Sequence, residues 1–173
     1  MAHADVDPAE PPRRRVGAVV LVRDPAGAVL MVKPRYKRGW ILPGGGAHEG
    51  EPITHAAARE LCEETGLVLP LTHLIALDQV PASEDGTSAE GINVVIDGGI
   101  LTAAQAADVT VPTAAAHELA ATAWVPLQHL AAHTEPYQER RIRAAVHATD
   151  HGNELPLLLL GERTDRARPK SPE

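Results

Sequence analysis

The stretch RELCEETG, from Arg59 to Gly66, sets three glutamates, Glu60, Glu63 and Glu64, within five residues. Gly66 reads as a helix C-cap, so the acids crowd the last turn, where the macrodipole is negative and carboxylates are disfavoured. With Arg59 as origin and a step of about 100° per residue, Glu63 falls at about 40°, Glu60 at about 100° and Glu64 at about 140°. Ala57, Ala58, Leu61 and Cys62 fall between about 160° and 300°, an apolar stripe suited to packing on a sheet. The acids are therefore expected on the face that the core leaves free. Each like-charged i,i+3 or i,i+4 pair costs about 0.2–0.5 kcal/mol on an isolated helix. Two carboxylates about 5 Å apart repel by roughly 3 kcal/mol at an effective dielectric of 20. Two readings answer that repulsion: a solvated face with an ordinary Arg59–Glu63 ion pair, or a hard divalent cation shared among the carboxylates. The glycine-rich LPGGGAHEGE directly ahead of the helix weakens the first, because an exposed polar helix needs no such loop.

The elements that must position these residues follow from pattern and punctuation. GAVVLVRDPAGAVLMVK gives two β-branched runs about Asp24-Pro25-Ala26-Gly27, a hairpin. The basic bridge KPRYKRGW leads into ILPGGGAHEGE, too rich in glycine for regular structure. A helix is expected over Ile53–Thr65, closed by Gly66. LVLPLTHLIALDQV holds at least one strand, PASEDGTSAEG is a polar loop, and INVVIDGGIL is a near-continuous apolar strand and so central, with Asp97-Gly98-Gly99 as a turn. Residues 102–116 read as loop with a short helix, ATAWVPL as a strand, and LQHLAAH and PYQERRIRAAVHATDHG as helices. The last of these has a basic face and an Ile142/Ala145/Val146 stripe. Strands interleaved with helices predict a mixed sheet covered by helices, an α/β fold. A disordered arm is expected over 1–14, one domain over 15–161 and a disordered tail over 162–173.

Composition bounds the function. The chain has 173 residues, 44% of them hydrophobic, enough for one domain with one sizeable core. No apolar run is long enough to span a membrane, and the N-terminus lacks a signal-peptide apolar region. One cysteine, Cys62, excludes an internal disulfide framework and fits a reducing, cytoplasmic compartment. A net charge of −7 and scarce aromatics (Trp40, Trp124, Tyr36, Tyr137) argue against stable nucleic-acid binding. Arg13-Arg14-Arg15 reads as a solvated edge. Lys33, Arg35, Lys37 and Arg38 form a basic cluster beside the acidic helix, either solvated or able to meet a substrate phosphate. Trp40 is either a core plug or a stacking surface. His147 and His151 lie four apart, the spacing of a zinc pair, but lack a third ligand and read as surface residues.

Gly45, five residues, Glu51, seven residues and then Arg59-Glu60-Leu61-Cys62-Glu63-Glu64-Thr65-Gly66-Leu67 match the Nudix box at each specified position. The chain resembles that family also in Trp40-Ile41-Leu42-Pro43-Gly44-Gly45 before the box and in Glu118 with Ala123-Trp124-Val125-Pro126-Leu127 after it, over about Val16 to Leu130. His48 departs from it, since many relatives carry glutamate there. The resemblance implies an α/β/α sandwich hydrolysing nucleoside diphosphates linked to another group. It implies Glu60, Glu63 and Glu64 as ligands of Mg²⁺ or Mn²⁺, with the Gly44 carbonyl and Glu118 as further ligands. Arg59 and Glu51 would hold loop and helix together, and Glu60 or Glu64 would act as general base, with Glu84, Asp85 and Glu90 as rivals. Arg35, Lys37, Arg38 and Trp40 are the substrate-binding candidates. The partner is a small diphosphate, and a second copy of the chain makes a homodimer the expected assembly. In such proteins a proline at a set distance past the box marks ADP-ribose hydrolases; Pro81, fourteen residues past Leu67, falls short of it. A nucleotide sensor without turnover and a prenyl diphosphate hydrolase or isomerase are the alternatives.

Overall fold

The computed structural model describes residues 14–84, 89–159 and 162–163. In chain order these form β1 (Arg15–Arg23), β2 (Val29–Pro34), β3 (Gly44–Gly46), α1 (Ile53–Thr65), β4 (His73–Val80), β5 (Gly91–Ile100), α2 (Ala103–Asp108), β6 (Leu119–Val125), α3 (Leu130–His133), α4 (Pro136–Asp150) and the short β7 (Leu155–Pro156), β8 (Leu158–Leu159) and β9 (Glu162–Arg163). Alternation along the central strands lets one sheet support two cores. Ala18, Val20 and Val22 of β1 and Val94 and Ile96 of β5 pack with Ala56, Ala57 and Leu61 of α1. Their neighbours Leu21 and Val95 pack on the opposite face with Ile142, Ala145 and Val146 of α4. The result is an α/β/α sandwich, as expected, with α1 and α4 on opposite faces.

The strands run β6-β2-β1-β5-β4-β7, with β3 also paired to β1. β1 and β5 pair in parallel, while the β1–β2, β1–β3, β2–β6, β4–β5 and β4–β7 pairs are antiparallel, so the sheet is mixed. The β1–β2 hairpin turns on Asp24, whose Oδ1 accepts the amides of Ala26 and Ala28 at 2.9 and 2.8 Å, a side-chain mimic of a backbone turn. The expected strand over INVVIDGGIL is central, between β1 and β4.

Four expectations are corrected. First, the glycine loop is partly regular: Gly44, Gly45 and Gly46 pair with Val19, Ala18 and Gly17. Absence of side chains is what permits it, since a Cβ on Gly44 (φ 139°) would lie 2.2 Å from the Ala18 carbonyl oxygen. Second, Asp97-Gly98-Gly99 is a bulge inside β5 and not a turn. Leu21 pairs with Asp97 but Arg23 with Ile100, one residue extra on β5, and Asp97 Oδ1 accepts the Gly99 amide at 2.9 Å.

Third, α1 has the expected ends, with Gly66 in the left-handed region at φ 73°, but it sits rotated. Its buried residues are Ala56, Ala57, Leu61 and Thr65, while Ala58 and Cys62 are exposed. Thr65 can be buried because its hydroxyl donates to the Leu61 carbonyl at 2.6 Å. The rotation carries Glu60 and Glu64 toward the sheet. Fourth, Glu162 and Arg163, placed in the disordered tail by sequence, pair as β9 with Leu158–Leu159, where an apolar run favours extended backbone. The rest of the expected arm and tail lies outside the described residues, except Arg14, which pairs with Glu90 at 2.9 Å.

Candidate active site

Backbone contacts fix the glycine strand against β1: the Val20 amide donates to the Pro43 carbonyl and the Ala47 amide to that of Val16, both at 2.9 Å. α1 then lays its acids on this strand. A Cβ on Gly45 would fall 2.4 Å from Glu60 Oε1, so the glycine is what admits the carboxylate. The Gly44 amide donates to Glu64 Oε2 at 2.8 Å. The Glu60 side chain is 18% exposed and that of Glu63 is 59% exposed. The three acids therefore do not share one free face. Glu60 and Glu64 turn inward and Glu63 stays at the rim.

One guanidinium clasps this cluster. Arg59 Nε donates to Glu51 Oε1 and Nη2 to Glu51 Oε2, each at 3.0 Å, a fork on fork. Its Nη1 donates to Glu60 Oε1 at 2.8 Å and Glu63 Oε2 at 3.3 Å, and Nη2 also reaches the Gly46 carbonyl at 3.2 Å. The His48 amide completes the shell of Glu51 by donating to Oε2 at 2.9 Å. The Arg59 and His48 hydrogen bonds hold the Glu51 carboxyl at about 2, below its ordinary 4.5. Burial acts in reverse on Glu64. It pushes that carboxyl up to about 7, the Gly44 amide pulling it down and the charges of Glu60, Glu118 and Glu63 adding to the rise.

Three carboxylates on a single arginine, with Glu64 beside them on the Gly44 amide, leave an excess of negative charge on hard oxygen donors, which suits Mg²⁺ or Mn²⁺. Among the described residues no three histidine, cysteine, aspartate or glutamate side chains stand already converged for an ion, because Glu60 and Glu63 are turned to Arg59. The donor set still fits. Nη1 alone serves Glu60 and Glu63, so both can leave Arg59 while Nε and Nη2 keep Glu51. Glu118, exposed in the turn just before β6, contacts His117 Nε2 at 3.3 Å and is close enough to raise Glu64.

The substrate-binding candidates part company. Lys37 lies 5.5 Å from the Tyr36 ring centroid, and both line a cleft of about 340 Å³ that opens beside Gly44–Gly46. Arg35 donates through Nε to the Ala116 carbonyl at 2.9 Å, on the outside of that region, and Arg38 is exposed. Trp40 packs against the α4-side core and is not among the described cleft residues. Of the rival bases, Glu90 is engaged by Arg14 and by Gln79, which hold its carboxyl low; Glu84 is exposed, and Asp85 lies outside the described residues. His147 and His151 stack at 4.0 Å on the exposed end of α4. Arg15, Asn93, Gln138 and Arg141 also line the cleft. They were missed because β1, β5 and α4 bring them together from distant parts of the chain; no local spacing marks them.

A helix-borne acid cluster set on a glycine strand at one end of an α/β/α sandwich defines a class of protein. The chain belongs to the NUDIX domain family, whose model matches residues 13–148. Over 69 residues it is 49% identical to the "Octanoyltransferase" of Myxococcus xanthus, across 38% of this chain and 19% of that one. It is 39% identical over 69 residues to the "Putative 8-oxo-dGTP diphosphatase" of Bacillus subtilis (strain 168), across 40% of this chain and 46% of that one. The match thus spans less than half of either relative. The fold is shared with the MutT protein of Methanosarcina mazei Go1 (TM-score 0.62, 23% identity, 80% of this chain and 95% of that one). It is also shared with the NUDIX domain of Shewanella oneidensis NrtR, solved with ADP ribose (TM-score 0.64, 17% identity, 84% and 95%).

Proposed function

We propose that the protein is a Mg²⁺- or Mn²⁺-dependent pyrophosphohydrolase that cleaves the P–O–P link of a nucleoside diphosphate joined to another group. The observation carrying this reading is the gathering of Glu51, Glu60 and Glu63 about Arg59, with Glu64 buried beside them on the Gly44 amide. Glu60, Glu63 and Glu64 would hold the ion, with the Gly44 carbonyl and Glu118 as further ligands. When bound, the metal polarises the phosphoryl oxygens and acidifies water. The chain's own part is positioning. Glu51 and Arg59 fix α1 against the glycine strand, the cleft residues orient the substrate, and Glu60 or Glu64 takes the proton of the attacking water. Water adds to one phosphorus as the bridging oxygen leaves, giving a nucleoside monophosphate and the other phosphorylated half.

Incubation with Mg²⁺ or Mn²⁺ and a panel of ADP-ribose, nucleotide sugars, nucleoside triphosphates and prenyl diphosphates tests this. Release of two phosphorylated products from any member is the expected outcome. Binding without turnover would instead make the protein a nucleotide sensor. A rearranged carbon skeleton would make it an isomerase, a reading weakened by Cys62, which points to solvent from the side of α1 away from Glu60 and Glu64.

A further inference from the structure

The cleft beside the glycine strand has a hydrogen-bonding character that is settled by the protein's own internal pairs. Asn93, only 5% exposed, stands on the α4 face of β5 opposite Gly17. Arg15 Nη1 donates to Asn93 Oδ1 at 3.4 Å. A guanidinium can only donate, so this contact fixes the orientation of the amide and leaves Nδ2, unpartnered among the described residues, as the group to serve a ligand. The missing side chain of Gly17 makes room, since a Cβ there would lie 2.5 Å from Asn93 Oδ1.

The deeper wall repeats the arrangement. Gln138 Oε1 is taken by Arg141 Nη1 at 3.2 Å, and Asp78 Oδ2 by Arg141 Nε at 2.6 Å. Both acceptors are thus consumed by Arg141, and Gln138 Nε2 donates to the Tyr137 hydroxyl at 3.2 Å, so among the described residues the N–H groups left over belong to Asn93, Arg141 and Arg15. Among the described lining residues there are three cations and no carboxylate, in a chain of net charge −7. At the mouth stand Tyr36 and Tyr137, 71% and 44% exposed, and these are the only two tyrosines of the chain. Two exposed aromatic rings from separate elements suit a planar ring better than a bare anion. The phosphate end is set by Gly44 and Gly45, which line the same cleft and touch Glu64 and Glu60.

We infer that this cleft holds the nucleobase and selects rings whose inward edge carries a carbonyl oxygen over rings that present an amino group, with Asn93 Nδ2 as the selecting donor. An amino edge would set donor against donor and leave both buried and unpaired, the arrangement by which a polar site rejects an analogue most strongly. The inference deepens the hydrolase reading and rests on it for the position of the phosphates.

Hypoxanthine and adenine differ at the position in question, carbonyl against amino. Titration calorimetry of the metal-free protein with IMP and AMP therefore tests the cleft whether or not the chain turns anything over. IMP is expected to bind at least about tenfold more tightly. Asn93→Asp, which replaces the donor with an acceptor, should bring the ratio to about one or reverse it. Arg15→Ala, at an exposed position, should narrow the ratio by releasing the amide to rotate, and it serves if Asn93→Asp does not fold. Equal affinities in the unaltered protein overturn the inference, as does an IMP preference that survives in the folded variants. Ribose 5-phosphate binding as tightly as IMP would make the cleft an anion site and overturn it too. Absence of hydrolysis alongside an intact IMP preference refutes the proposed activity and leaves the base selection standing.

Discussion

The Gly44 amide donates to Glu64 Oε2 at 2.8 Å and is the one hydrogen bond drawing down a carboxyl that burial and three neighbouring acids push up to about 7. A carboxyl raised from 4.5 on folding favours the native state below pH 4.5, and that contribution is lost as pH rises through about 7. Glu64→Gln removes the charge and keeps an oxygen to accept from Gly44. In metal-free buffer at pH 8 it should raise stability by up to about 3 kcal/mol while greatly lowering turnover. Thermal melts at pH 4 and pH 8 check this: the gain belongs to pH 8 alone.

Glu51 titrates with the opposite sign. Its carboxyl, held at about 2, stabilises the fold above pH 4.5, and the contribution disappears as pH falls toward 2. The melting temperature of Glu51→Gln should sit below that of the unaltered protein at pH 6, with the two curves converging in acid. Parallel curves would show that the Arg59 fork adds nothing to folding.

The two neighbouring glycines should fail in different ways. Gly44→Ala drives a Cβ against the Ala18 backbone at a positive φ, and should destabilise the protein by about 1–3 kcal/mol. Gly45→Ala meets first the movable Glu60 carboxylate. It should melt close to the unaltered protein yet lose activity, because the acid is displaced. Equal stability losses would refute the distinction.

Glu63, at the rim, gives the cleanest test of the ion. Calorimetric titration with Mn²⁺ in the presence of a diphosphate should show binding, weakened by on the order of 100-fold in Glu63→Gln. The same variant in chelator should melt no lower than the unaltered protein. Marked unfolding would instead make Arg59–Glu63 a structural ion pair.

The ends of α1 were readable because Gly66 and the change from glycine loop to alanine-rich turn are local signals. The face it buries was not. A wheel drawn on apolarity counts Cys62 and Ala58 as core, whereas the sheet accepts Thr65, which hides its own hydroxyl, and draws Glu60 and Glu64 inward to meet glycine backbone. The same blindness turned three glycines into a loop, since only the partner strand shows that bare backbone can pair there. The acids were legible because one helical turn supplies them together. Asn93 and Arg141 were not, because strand order brings them to the cleft across dozens of residues.

Cys62, the single thiol, faces outward next to Glu63 on the helix that carries the acids. A maleimide fluorophore placed there would attach at one defined point without any engineered cysteine. Under the proposed ion binding, its emission would follow the release of Glu63 from Arg59 in real time, an optical readout of divalent ions.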